Sequence, residues 1–238
     1  MRPALAGLAA LVLATGAGAV PVPRLTVYAA TSLTEVFPRI DASQRYSFAG
    51  SNQLAFQIRQ GAPVDVFASA SPEFTRSLHR DGLVERPRVF ATNSLVLVVP
   101  RSNPARLRTV FDLRRKDVRL VIGTARVPVG AYTRAVLRRL GMTSVLRKVV
   151  SEEPDVKSIL GKVALGQAEA GFVYATDVRP VADRVRAIAI PARAQPLVRY
   201  EVAVVTSSEH RAAARVWVSR LTQARARRLL RAAGFGIR

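Results

Sequence analysis

The sequence contains no cysteine, which excludes disulfides, thiolate metal sites and a cysteine nucleophile. Histidine is nearly as scarce: His79 and His210 are the only two, and neither accompanies a serine in a nucleophile-elbow pattern. "FAGSN" at 48–52 lacks the second glycine of G-x-S-x-G. "LGKVALG" at 160–166 has a Gly-Lys pair without the hydroxyl residue or the glycine spacing of a P-loop. Only 16 residues are Asp or Glu, and the group Glu152, Glu153 and Asp155 reads as a solvated helix start rather than a metal cluster. These absences argue against an enzyme. Past the first twenty or so residues, no apolar run is long enough to span a bilayer.

Positive charge, by contrast, is abundant. Lys and Arg number 37, nearly all Arg, for a formal net charge of +21. Such a balance raises the question of nucleic acid, but the cations are spread along the whole chain. Their densest run, "ARARRLLR" at 224–231, interleaves with Leu229 and Leu230 as a solvated helix face does. No strand combines basic and aromatic residues for base stacking, so nucleic acid is not expected as a partner. A surface field that steers anions is the milder use of this charge.

At the N-terminus, Met1-Arg2 precedes an apolar run from Leu5 to Ala17 that closes on small residues, with Pro21 and Pro23 just beyond. That is the layout of a signal peptide, residues 1–19, cut near Ala19, so a periplasmic or other extracytoplasmic location is expected. The remainder alternates short β-rich runs with helix-like stretches: "LTVYAA" (25–30), "RYSFAG" (45–50), "VDVFAS" (64–69), "SLVLVVP" (94–100), "VRLVIG" (118–123), "VLRKVV" (145–150), "AGFVYA" (170–175), "RVRAIAI" (184–190) and "YEVAVV" (200–205). This spacing predicts an α/β protein with mainly parallel sheets. "SLVLVVP" and "YEVAVV" are continuous apolar runs, as expected of strands buried on both faces, and they bracket the middle of the chain. They are taken as the two crossings between lobes, with residues 20–93 and 206–238 in lobe 1 and residues 94–205 in lobe 2. A last long helix is predicted from Glu209 to about Ala233.

From Ser47 to Ile58 the chain carries no charge at all, an anomaly in so basic a sequence. There a strand ends in Gly50-Ser51-Asn52 and a helix striped with Leu54, Ala55 and Ile58 begins at once. "AATSLTEVF" has the same design, and its Ser32 and Glu35 fit a capping box. Helix starts carry unpaired N–H groups and a partial positive charge, so two such mouths in one lobe suit an anion. The second half offers three comparable places. "RVPVGAY" sets Val129 just ahead of a helix, "EEPDVKSIL" leaves Val156 N–H among first-turn donors, and "GFVYATD" ends a buried strand in Tyr174.

Taken in order, "YAATSLT", "SFAGSNQLAFQIRQGAPVDVFASA", "ATNSLVLVVP", "VPVGAY" and "AGFVYATD" resemble the periplasmic molybdate-binding proteins of ABC transporters. The resemblance covers nearly the whole chain after the signal peptide. It implies a two-lobed, class II periplasmic-binding fold with two crossing strands as hinge, closing over a tetrahedral oxyanion. It also implies a ligand set: Ser32 and Ser51 through hydroxyl and N–H, Val129 and Val156 through N–H, and Tyr174 through its hydroxyl. The expected ligand is molybdate, with tungstate close behind. Molybdenum enters only as the centre of that oxyanion, and no cofactor is expected. The implied partner is an ABC permease in the inner membrane, and a monomer is expected. A sister binder for tungstate alone or for sulfate is the alternative, since sequence does not report pocket radius. The fold also serves in transcription regulators, but a signal peptide stands here where a DNA-binding segment would.

The chain departs from the family pattern in places. Val129 replaces the usual alanine, Ser71 stands where "SAD" is common, the segment between Ser32 and Ser51 is short, and the charge is atypical. Pro38 falls inside the first expected helix, which should therefore be short or kinked.

Overall fold

A computed structural model describes residues 23–115 and 117–237; the expected signal peptide lies outside the described residues. Among the described residues, ten strands form two five-stranded sheets. The first sheet takes β1 (Thr26–Ala30), β2 (Arg45–Ala49), β3 (Val66–Ser69), β4 (Arg88–Asn93) and β10 (Val198–Val204), in the order β2-β1-β3-β10-β4. The second takes β5 (Leu95–Pro100), β6 (Leu120–Gly123), β7 (Val149–Glu153), β8 (Ala170–Tyr174) and β9 (Val185–Ala189), in the order β7-β6-β8-β5-β9.

The two sheets share one plan. In each, three strands run parallel (β2-β1-β3 and β7-β6-β8), and a fourth strand pairs antiparallel with the third and with a fifth at the edge. The sheets are thus mixed, not mainly parallel. The helical crossovers read from the sequence concern only the three parallel strands of each set; the antiparallel strand follows them in the first sheet (β10) and precedes them in the second (β5).

The first crossing is abrupt. β4, which sequence reasoning did not identify, ends at Asn93, and β5 begins in the other sheet at Leu95. Hence "SLVLVVP" lies after the crossing and pairs with β8 and β9. The second crossing is residues 190–197, ahead of "YEVAVV", because β10 lies between β3 and β4. Residues 198–204 therefore belong to the first sheet, and the predicted lobe boundary at 205 falls too late. A continuous apolar run shows that a strand is covered on both faces; it does not say which sheet covers it. The crossings are tied to each other: Gln195 accepts the Leu95 N–H through Oε1 at 3.0 Å and donates from Nε2 to Leu95 O at 2.7 Å.

Helices flank both sheets: α1 (Phe37–Ile40), α2 (Ser51–Arg59), α3 (Pro72–Arg80), α4 (Pro128–Arg139), α5 (Val156–Ala164), α6 (Ala175–Val178), α7 (Arg211–Arg220) and α8 (Ala224–Ala232). As Pro38 foretold, α1 is one turn long with the proline in that turn. Phe37 anchors it, fully buried against the rings of Trp217, Phe90 and Tyr46 at 5.5, 5.8 and 6.1 Å; such burial is worth about 1.5–3 kcal/mol. The single C-terminal helix expected from Glu209 is instead two. Bonds of the tighter i to i+3 kind from Leu221, Thr222 and Gln223 close α7, and Gln223 turns extended to start α8. "VLRKVV" also differs: residues 143–148 form a 3-10 turn, and the strand begins only at Val149. Among the described residues no helix is long and apolar enough to cross a membrane.

Candidate oxyanion site between the sheets

The parallel strands of both sheets point their C-terminal ends at one small cavity, the position where open α/β sheets place ligands. From the first sheet come Ala30 to Ser32 after β1, Ala49 to Ser51 after β2 and Ala70 after β3. From the second come Val127 to Val129 after β6, Asp155 and Val156 after β7, and Tyr174 at the end of β8. All five candidate residues, Ser32, Ser51, Val129, Val156 and Tyr174, line this space and are buried. The cavity is narrow, with a volume of about 20 Å³.

Among the described residues, no Arg or Lys lines the cavity. Its one carboxylate, Asp155, is turned to the α5 start, where it accepts the Ser158 N–H and hydroxyl, each at 3.0 Å. What remains is a set of neutral donors. The first bond of the α2 ladder runs from Leu54 N–H to Gly50 O, so the Ser51 amide takes no part in it. In α4 the first is Ala131 N–H to Val127 O, which leaves the Val129 amide outside. Val156 opens α5 as Ser51 opens α2, each as the first residue after the N-cap. A backbone donor is indifferent to the valine side chain at 129, so that departure from the family leaves the donor in place.

The hydroxyls carry the sharper signal. Ser51 Oγ accepts the Ala70 N–H at 3.1 Å, so its own hydrogen is not spent on that contact. Ser32 Oγ lies 2.8 Å from the Tyr200 hydroxyl. The expected capping box is absent: Ser32 sits within a 3-10 turn with no side-chain cap, and Glu35 reaches across to Lys157 at 3.3 Å. The strand β1 runs into a 3-10 turn rather than the expected capped helix, and the Ser32 hydroxyl faces Tyr200. Tyr174 is 2 % exposed, and its hydroxyl is buried with no hydrogen-bond partner in the protein. Burial, then the neighbouring Tyr200, Tyr132 and Asp177, push its pKa well above the ordinary tyrosine value, so it stays a neutral donor. Asn52 Oδ1, on the first turn of α2, is the other orphaned buried atom.

The rims touch across the cavity. Tyr132 of α4 donates to Ala70 O at 3.4 Å, and a Cβ on Gly50 would lie 2.6 Å from Pro154 O of the facing sheet. Just behind Tyr174, the fully buried Asp177 accepts the Tyr174 N–H at 3.3 Å. Sequence reasoning missed the roles of Tyr200 and Gly50, which act through contacts distant in the chain, and of Asp177, whose bond to Tyr174 is local but whose burial is set by the fold. Burial, with Asp155 and Glu35 acting the same way, raises the Asp177 pKa to about 7 against the opposing pull of Lys157 and the Tyr174 N–H.

The chain matches the family model of bacterial extracellular solute-binding proteins over residues 25–236. It is 37 % identical over 221 residues to the molybdate-binding protein ModA of Mycobacterium tuberculosis, covering 89 % of this chain and 84 % of that one. Among solved structures, the periplasmic molybdate-binding protein of Azotobacter vinelandii superposes with a TM-score of 0.79 at 22 % identity, over 90 % of this chain and all of that one. The sulfate-binding protein SubI of M. tuberculosis gives a TM-score of 0.74 at 17 % identity, over 89 % and 86 %. These two likenesses speak to the fold alone.

Two outcomes follow from the geometry. Gly50→Ala has an allowed backbone but sets its methyl against Pro154 O, so anion affinity should fall at least about tenfold by calorimetry while the thermal midpoint barely moves. Because folding raises the Asp177 pKa from 3.8 to about 7, the folded state holds the extra proton between those values. The wild type therefore loses stability as pH rises through that window, and Asp177→Asn should remove that part of the slope in melts from acid to mildly alkaline pH.

Proposed function

The chain belongs to the bacterial extracellular solute-binding proteins, and from that premise we propose that it captures molybdate in the cavity between its two sheets and delivers it to an ABC permease. The observation that carries this reading is the Tyr174 hydroxyl, a buried donor without a protein acceptor, on the wall of a cavity bounded by helix-start amides and two serine hydroxyls. Leaving such a donor unmet costs roughly 1–3 kcal/mol, a cost a folded protein accepts for a ligand. An anion oxygen is the matching acceptor. The ModA relative supports molybdate as that anion.

The five residues divide the task. Ser32 and Ser51 donate from the first sheet through hydroxyl and amide. Val129 and Val156 donate amides from the second, and Tyr174 adds its phenol. A fixed shell of dipoles needs no countercharge in the pocket, and each bond to a charged acceptor is worth roughly 1.5–3 kcal/mol. It recognises radius and protonation, whereas an arginine would hold many anions. The binding step involves no bond making, which agrees with a transport role rather than catalysis.

Tungstate, with the same charge and shape, belongs to the same reading. Sulfate is the second one, favoured by a donor set that suits any fully deprotonated tetraoxo dianion; it differs in radius. The rim contacts at Gly50 and Tyr132 would form as the lobes close by hinge motion at the paired crossings, and the closed rim is the form a permease would read. The protein would act as a monomer outside the cytoplasm, exported by residues 1–19, with no nucleic acid involved.

Calorimetric titration of the mature chain with molybdate, tungstate, sulfate, phosphate and chromate tests the assignment. Molybdate and tungstate should bind tightest, and a preference for phosphate would overturn it. Tyr174→Phe should weaken molybdate binding about 10- to 100-fold while raising the thermal midpoint of the ligand-free protein, because it deletes the orphaned donor. A variant that binds as well as the wild type would remove Tyr174 from the site.

A further inference from the structure

Ser32 is held from behind by a phenol. Tyr200, in β10, is completely buried, and its hydroxyl lies 2.8 Å from Ser32 Oγ. Which oxygen donates is decided by a third residue. Asn93, the last residue of β4, accepts the Ser94 N–H through Oδ1 at 2.9 Å, so the amide orientation is fixed and Nδ2 faces the other way. Its hydrogens go to Thr176 Oγ1 at 2.9 Å and to the Tyr200 hydroxyl at 3.4 Å. Tyr200 thus meets a donor on one side and Ser32 Oγ on the other, and only the serine can accept its hydrogen. Burial, reinforced by Asp177, holds the Tyr200 phenol far above the ordinary tyrosine pKa, so that hydrogen stays in place. Ser32 Oγ, already accepting, finds no protein acceptor for its own hydrogen and lines the cavity.

We propose that Tyr200, oriented by Asn93, is a positioning residue that fixes Ser32 as a hydrogen-bond donor to the bound anion and so excludes oxyanions that carry a proton. This rests on the reading of the cavity as a tetraoxoanion site. An anion bearing an O–H needs an acceptor in the wall. Ser32 becomes one only by turning its hydrogen back to Tyr200, which strands the Tyr200 hydrogen in a buried place beside an amide that cannot accept it. Ser51 needs no such device, because the Ala70 N–H behind it is a donor that cannot reverse. Tyr200 and Ser32 are both hydroxyls and reversible in principle, and Asn93 breaks the tie. Neither Tyr200 nor Asn93 lines the cavity, so the effect is on the direction of a hydrogen rather than on contact with the ligand.

Sulfate and hydrogen phosphate at mildly alkaline pH make the test, since they share size and charge and differ by one hydrogen. Their affinities are read by competition with molybdate. Tyr200→Phe keeps the ring that packs edge-on against Phe235, Tyr174 and Phe90 at 5.3, 6.0 and 6.1 Å and removes only the hydroxyl. It should narrow the wild-type preference for sulfate over hydrogen phosphate about tenfold, with molybdate affinity falling less than that. Asn93→Asp turns the Tyr200 hydrogen toward a carboxylate and should narrow the same ratio; its added charge acts alike on both dianions. If Tyr200→Phe does not fold, Asn93→Asp decides alone. An unchanged ratio, with all affinities shifting together, reduces Tyr200 to a structural prop and overturns the proposal. Failure of the wild type to bind any tetraoxo anion overturns the underlying reading instead, and is seen before any substitution is made.

Discussion

A buried hydrogen-bond donor must find an acceptor or destabilise the fold by roughly 1–3 kcal/mol. Much of this molecule's construction follows from gathering several such donors at one point. Helix starts provide them without side chains, because the first amides of a helix have no partner within it. Placing three helix starts and a 3-10 turn around one cavity requires strands that deliver them from the same direction, which parallel strands do. That is why β1, β2 and β3 on one side, and β6, β7 and β8 on the other, end at the cavity walls. The antiparallel strands β10 and β5 flank these parallel sets, and each follows a crossing between the sheets.

The constraint also explains where charge is absent. In a chain with a net charge of +21, no described Arg or Lys stands on the cavity wall, and the carboxylate there, Asp155, is committed to the start of α5. A guanidinium would satisfy an anion of almost any shape, so its presence would erase discrimination. Dipoles held by backbone are weaker singly but fixed in place, and fixed donors at a set distance measure radius. The surface charge has a separate use in raising the local concentration of anions, which depends on ionic strength as the cavity bonds do not.

Much of this was legible in the residue order, and the rest was not, for identifiable reasons. Strand-to-helix mouths at Ser32, Ser51, Val129 and Val156 are local: a β-rich run, a small residue or proline and an apolar stripe follow one another within ten residues, and the structure brings all four mouths to one cavity with Tyr174. The short α1 was equally local, because Pro38 acts on its own turn. The misreadings concern partners distant in the chain. "YEVAVV" reads as a buried strand, but its membership of the first sheet depends on pairing with β3, more than a hundred residues earlier. β4 escaped notice because "RVFATN", at a sheet edge, buries only Phe90 and Ala91 and lacks the apolar run that marks a central strand. The break at Leu221–Gln223 has no glycine or proline to announce it; Leu221 is drawn fully into the core, and the tight turn is what allows α8 to follow at a new angle.

The failed capping box at Ser32 shows how a correct motif and a correct function can coexist with a wrong local bond. S-x-x-E predicts that the serine oxygen accepts from its own helix and that the glutamate covers the N-cap amide. Here the oxygen accepts from Tyr200 in the same sheet, and the glutamate spans the cleft to Lys157. Both exchanges serve the site. A capping serine has its oxygen directed at backbone amides of its own turn, which limits where its hydrogen can point, whereas a serine backed by a phenol presents that hydrogen to the cavity. The Glu35–Lys157 pair is largely exposed, at 56 % and 30 % for the two side chains, so it adds at most about 1 kcal/mol to holding the rims together. A contact that weak leaves the lobes free to part. Under the proposed function, the bound anion supplies the main free energy of closure, as a carrier that has to let go requires.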